Sequence, residues 1–183
     1  TIINPTNGGV QRVTKVLADY FQQKGNNVFF LALNKPPECE IIDDRQFFLP
    51  KSKKFNNKKN ILFLKEFIRN NSIDIVINQG GFGKDCSKFA INSNKYGAKV
   101  ISVLHSSPLA SIMHFSSSKK DRFQKYKLGF LLSLTDRLWV KNILLWTYKL
   151  KYQAHFKRLC ENSNRVVLLS HNFRNEFNFF IGK

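Results

Sequence analysis

Acid is scarce in this sequence. Only 12 Asp and Glu stand against 30 Lys and Arg, and the few carboxylates form no cluster of the kind that holds a divalent metal. Nor do they form a pair spaced for general acid and base work: Asp43 and Asp44 are adjacent, fall in an expected loop and read as solvated. Cysteine is scarcer still. Cys39, Cys86 and Cys160 are odd in number and have no paired spacing, which argues against a disulfide framework or a zinc site and fits a reducing cytoplasm. No apolar run approaches the ~20 residues that a spanning helix needs, so the expectation is a soluble chain or one that sits on a membrane surface. A G-x-G-x-x-G fingerprint is missing after the first strand, and "GGFG" after a later strand does not replace it, which argues against a dinucleotide-dependent oxidoreductase.

What is present is apolar and basic. The 183 residues suit one domain, and 43% hydrophobic content with 18 phenylalanines supplies a core. The formal charge of +18 predicts attraction to polyanions: nucleic acid, anionic lipid or phosphorylated substrates. The lysine-rich composition equally reads as a solvated surface with no partner.

Secondary structure is legible from spacing. Val10, Val13, Leu17 and Tyr20 recur at offsets of three and four, predicting a helix from about residue 9 to Lys24 with these residues on its inner face and Gly25 as its left-handed stop. Thr6 or Asn7 is the expected side-chain cap. "NNVFFLALN" and "RQFFLP" read as short strands. A helix around Ile61, Leu64, Lys65 and Ile68, with Leu62 and Phe67 also inward, leads to "IDIVINQ" at 73–79, a near-continuous apolar strand expected to be buried on both faces. A helix over 84–96 stopped by Gly97, the strand "AKVISVLH", helices at about 121–134 and 136–161, the strand "RVVLLS" and a last helix from "HNFRNEFNFF" complete the chain. Alternating helix and strand predict an α/β fold: a Rossmann-like three-layer sandwich around a mostly parallel sheet.

In such sheets ligands lie beyond the carboxyl ends of the strands. Four loops fall there: Asn4 to Gly9, Asn78 to Gly83, His105 to Pro108 and Ser170 to Asn172. Gly8 and Gly9 bare the first amides of a helix, where N–H donors and the positive dipole end can receive an anion; the pair alone reads more readily as a tight turn. The chain opens on Thr1, and "TII" is short for the strand that should feed a helix, so we expect a cut piece whose first strand is partly missing and whose C-terminal portion is absent.

"NGGVQRVTKVLADYFQQKGNNVFFLAL", "IDIVINQGG", "AKVISVLHSSP" and "NRVVLLSHNFRNEF", in this order and spacing, resemble the N-terminal domain of GT-B-fold glycosyltransferases, specifically the retaining enzymes of family 4, over essentially the entire chain. The resemblance implies that residues 1–183 are one truncated, acceptor-side half of a two-domain hexosyltransferase, with the donor-binding domain and its spaced glutamates absent and the fragment inactive alone. It implies a nucleotide-sugar donor, a polysaccharide, lipopolysaccharide or lipid-linked acceptor in cell-envelope assembly, no metal and no other cofactor. It places the protein in the cytoplasm or peripherally on the inner membrane face. Carried over by position, Gly8 and Gly9 match the loop beside the donor diphosphate, and His105 matches the histidine near the reacting sugar. Asn78, Gly80, Gly81, Ser106 and Ser170 match cleft-lining positions. His114 and His171 have no counterpart.

Residues 119–160 carry eleven Lys or Arg against two Asp, a net of +9, with eight aromatics interleaved. Phe123, Tyr126, Phe130, Leu131 and Leu134 form one helical stripe, and Leu138, Trp139, Leu145 and Trp146 add apolar content to the next helix. Such stripes are core faces or, being basic and tryptophan-bearing, faces for an anionic membrane interface. The alternative function is a basic nucleic-acid-binding α/β module, but no helix-turn-helix, zinc finger or RNA-binding aromatic signature accompanies the charge, so nucleic acid is not the expected partner.

Overall fold

The computed structural model describes residues 8–34, 43–52, 54–81, 83–110 and 138–182. Within them the order is α1 (Gly9–Gln23), β1 (Phe30–Ala32), β2 (Gln46–Phe48), α2 (Lys58–Asn70), β3 (Ile75–Asn78), α3 (Lys84–Lys95), β4 (Lys99–Leu104), α4 (Leu138–Glu161), β5 (Arg165–Leu168) and α5 (Asn172–Ile181). The fold is a Rossmann-like α/β arrangement of parallel strands. Among the described residues they form two sheets, β1–β2 and β3–β4–β5, rather than one. The helix expected at 121–134, with its stripe from Phe123 to Leu134, lies outside the described residues, as do His114 and the side chains of Leu138 and Trp139.

Local chemistry sets the helix boundaries. Three helices end in the same two-bond motif, in which the residue after the cap turns left-handed and the next amide reaches back across the last turn. At the end of α1, Gly25 (φ 82°) donates to the Gln22 carbonyl and Asn26 to that of Phe21; at the end of α3, Gly97 (φ 100°) and Ala98 do the same to Asn94 and Ser93. Ser72 occupies the equivalent position after α2 at φ 48°, with Ile73 donating to Ile68. The start of α2 is capped by Asn57, whose side chain accepts from the Lys59 amide at 3.0 Å. The lysine–asparagine loop before it is pinned by the fully buried Asn60, whose amide accepts from the Lys51 N–H and donates to the Lys51 and Lys54 carbonyls at 2.8–3.0 Å.

Two apolar clusters hold the chain. One joins β4 to α3, α4 and α5 through Ala90, Val100, Leu104, Phe156, Leu159, Phe177 and Phe180; the Phe156 and Phe180 rings stack at 4.4 Å, and both are fully buried. The other gathers Leu49, Phe55, Leu64, Ile68 and Ala98, with Leu31 and Val76 against it, and so ties both sheets to α2 and α3. Strand β5 is registered on β4 partly by a side chain: Asn164 Oδ1 accepts from the Val100 amide at 2.8 Å while the Asn164 amide donates to the Val100 carbonyl at 2.7 Å.

Several expected faces turn out otherwise. Val10, Val13 and Tyr20 are 39–53% exposed, and the buried residue of α1 is Ala18. A polar side of α1 carrying Lys15, Asp19 and Gln22 makes the connection to β2 instead, because these bind Asp43 and Arg45 beside it. Asp43, expected to be solvated, has a side chain only 7% exposed between Arg45 and Lys15, while Asp44 is exposed as expected. Strand β3 is not buried on both faces: Ile75 is 54% exposed, since β3 pairs only with β4 among the described strands. Leu62, expected to face inward from α2, is exposed, while Phe67 joins an aromatic cluster with Phe29, Phe47 and Phe63.

Candidate functional site

Parallel pairing brings three of the four loops to one rim. Asn78 pairs with Ser102, and Leu104 with Leu168, so the chain leaves β3, β4 and β5 on the same side through Gln79, His105 and Leu169. Two of these exits lead into helix starts, Gly83–Lys84 for α3 and His171–Asn172 for α5.

The β3 exit is built tightly. Asn78 is 5% exposed, and its amide group is committed: Nδ2 donates to the Cys86 carbonyl at 3.1 Å and to Ser102 Oγ at 3.4 Å, and Oδ1 accepts from the Gly80 amide at 3.3 Å. Asn78 therefore shapes the rim from beneath. Gly80 is glycine for a packing reason. A Cβ there would stand 2.6 Å from Cys86 Sγ, and the Cys86 thiol already donates to the Gly80 carbonyl at 2.9 Å. Burial pushes that thiol's pKa up. Gly81 turns left-handed at φ 78° with open space where a side chain would be.

The β4 exit presents His105. The ring is half-buried, and its Nε2 lies 2.7 Å from Gln79 Oε1 on the neighbouring loop. Partial burial lowers the histidine's pKa below its ordinary 6.5, so the ring is neutral at pH 7. Because an amide oxygen can only accept, Nε2 carries the proton and Nδ1 keeps its lone pair as an acceptor for an incoming hydroxyl. Ser106 follows at the exposed turn. Ser107 then fixes the loop: its hydroxyl donates to Glu176 on α5, and the Leu109 amide donates to both Ser107 Oγ and Glu176 Oε2 at 3.1 Å. At the third exit, Ser170 Oγ accepts from the Asn172 amide at 3.3 Å and its carbonyl accepts from Phe173, so Ser170 serves the start of α5. His171 is exposed beside it.

Gly8 and Gly9 stand apart from this group. Gly8 is the residue before α1, at φ 147° and ψ 163°, and among the described residues no side chain caps the helix; Asn7 and Thr6 lie outside them. Among the described residues nothing lies within 4 Å of where a side chain would sit on either glycine. The other end of α1 is fastened at the amino-terminal side of β2, where Arg45 binds Asp19 and Gln22. A helix of 15 residues spans about 22 Å, which separates its start from that fastening.

Three contacting residues escaped sequence reasoning: Gln79, Ser107 and Glu176. Gln79 was discoverable only as the residue after an apolar strand, and Glu176 is separated from Ser107 by 69 positions, with no local signal joining them. Among the described residues no group of three or more His, Cys, Asp or Glu side chains could hold a metal ion.

Comparison with known proteins gives one result that bears on this arrangement. No curated protein and no solved structure matches the chain. The family model described as Glycosyltransferase Family 4, however, matches residues 7–182, nearly the full length and all three rim loops, and the chain belongs to glycosyltransferase family 4.

Proposed function

We propose that this chain is the acceptor-side domain of a glycosyltransferase that moves a hexose from a nucleotide-sugar to a polysaccharide, lipopolysaccharide or lipid-linked acceptor at the cytoplasmic face of a membrane. The observation that carries the reading is the His105–Gln79 pair on the carboxyl rim of a parallel sheet, in a chain whose family membership spans that rim.

Each residue has a role on this reading. Neutral His105, oriented by Gln79, accepts a hydrogen bond from a sugar hydroxyl through Nδ1 and does not need to ionise. Ser107 and Glu176 hold the His105 turn against α5, so the imidazole keeps one position relative to the rim. Departure of a nucleoside diphosphate develops negative charge, and the first-turn amides behind Gly8 and Gly9 stabilise such charge electrostatically. The donor is held chiefly by a second domain, and these residues alone do not turn over. No metal is assigned a step.

The test uses the polypeptide that joins this domain to its donor-binding partner. His105→Ala should lower kcat for sugar transfer at least about tenfold, as expected for a lost contact to the reacting sugar, with the melting temperature unchanged. Unaltered turnover would remove His105 from the site and with it the reading of the rim.

A further inference from the structure

A helix in a globular domain ordinarily shows one apolar side and one polar side, and α4 does not. Its inner side packs Tyr148, Tyr152, Phe156 and Leu159 into the core of β4, α3 and α5. On the opposite side Ile143, Trp146 and Leu150, at offsets of three and four, form a second apolar row that is 52%, 63% and 56% exposed. Basic side chains border it. Lys149 reaches over the Phe179 ring at 4.4 Å on one flank, and Lys151 lies over Tyr152 at 5.1 Å on the other. Lys157 and Arg158 continue the exposed basic surface in the following turns. The helix holds five Lys or Arg and one acidic residue, Glu161.

We propose that the outer face of α4 docks on an anionic lipid bilayer, lying in the plane of the interface with Ile143, Trp146 and Leu150 inserted and the flanking lysines on the headgroups. Charge complementarity selects this occupant. A second copy of a chain of formal charge +18 would set like charges against each other. A nucleic acid would engage the lysines but give the isoleucine and leucine nothing to bury against. An anionic bilayer satisfies both, since it draws basic residues at its surface and takes tryptophan and aliphatic side chains at headgroup depth. The helix lies on the membrane rather than through it, as no helix of the described residues is long and apolar enough to cross. The inference stands on α4 alone: vesicle binding and His105-dependent turnover can each fail without the other.

The experiment compares this chain on vesicles of pure phosphatidylcholine with vesicles containing about a third phosphatidylglycerol. Co-sedimentation with the anionic vesicles, little with the neutral ones, and loss at high salt are expected. Trp139→Phe leaves Trp146 as the sole indole, and its emission should shift to the blue on binding. Ile143→Ser, Trp146→Ser and Leu150→Ser together should weaken partition at least about tenfold with the circular dichroism spectrum unchanged; should the triple variant lose its fold, Trp146→Ser alone is read the same way. Lys149→Gln and Lys151→Gln should each weaken it about fivefold, the equivalent of about 1 kcal/mol per charge. Three outcomes would overturn the proposal: no affinity for anionic vesicles, undiminished binding by the serine variants, or an unshifted Trp146 emission. Tight binding of DNA that the serine substitutions abolish, without vesicle binding, would give this face to nucleic acid instead.

Discussion

Helix α1 is secured by different physics from helices α3, α4 and α5. Around β3, β4 and β5, the helices α3, α4 and α5 close over rings and aliphatic side chains that water does not reach, Phe156, Phe180, Leu104 and Leu159 among them. Around β1 and β2, the helix α1 buries little besides Ala18 and is joined through charge: Lys15 bonds Asp19 at 2.8 Å and Asp43 at 3.2 Å, and Arg45 bonds Asp19 at 3.0 Å and Asp43 at 2.6 Å. Apolar contact is non-directional, and ion pairs fix orientation. The rim that carries His105 thus rests on the part of the molecule held by packing, and the open start of α1 rests on the part held by a few charged atoms.

The largest blow to this contrast should come from the core. Phe180→Ala removes a fully buried ring stacked on Phe156 and is expected to cost about 3–5 kcal/mol of global stability, read as a lowered urea midpoint. Protection of α1 amides from hydrogen exchange should fall only as far as global unfolding requires. A loss below about 1 kcal/mol would mean that the ring is not the keystone its burial indicates.

Asp43→Asn should do the reverse at smaller cost. It breaks a well-shielded carboxylate away from Arg45 and Lys15, which we expect to lower the free energy of local opening at α1 by about 1–2 kcal/mol while the urea midpoint hardly moves. The pH dependence has a definite sign. Hydrogen bonds from Arg45, the largest influence, hold the Asp43 carboxyl well below the usual carboxylate range. A depressed folded-state pKa contributes stability that is fully present above the unfolded value, about 3.9 for aspartate, and is lost as pH falls below it. Protection at α1 should therefore be level from pH 7 to about 5 and decline only below about 4. Decline already between pH 7 and 6 would place the fastening elsewhere.

The same contrast governs how far the fold can be read from the chain. Order and type of the described elements were legible because they depend on local chemistry: Gly25 and Gly97 end helices, and "IDIVINQ" and "AKVISVL" are strands by composition. The rim followed from them, since parallel pairing alone sends the residues after β3, β4 and β5 to one side. The inward face of α1 was not legible. Val10, Val13 and Tyr20 make the better apolar stripe, but Lys15, Asp19 and Gln22 find Asp43 and Arg45 more than twenty positions away, and no periodicity reports a partner that distant. Gln79 and Glu176 were missed for the same reason: each matters through contacts with residues far away in the sequence. Asp43 looked solvated because a loop aspartate usually is, until an arginine two residues on folds back over it.

The smallest expected effect sharpens the contrast by leaving both cores alone. Gly25, Ser72 and Gly97 occupy the same position in the same helix-ending motif, at φ 82°, 48° and 100°, yet only Ser72 carries a Cβ against the following carbonyl, a conformation that costs an L-residue about 1–2 kcal/mol. Ser72→Gly removes that cost and gives back part of it through the greater freedom of the unfolded chain, so a net gain of about 0.5 kcal/mol is expected. In a domain of this size that raises the melting temperature by about 1–2 °C. The gain should appear globally, because α2 packs Leu64 and Ile68 into the cluster that ties both sheets together and its last turn cannot strengthen in isolation. A lowered melting temperature for Ser72→Gly would mean that the serine side chain contributes more at that turn than its left-handed backbone costs, and the shared helix-ending motif would then not be what sets the end of α2.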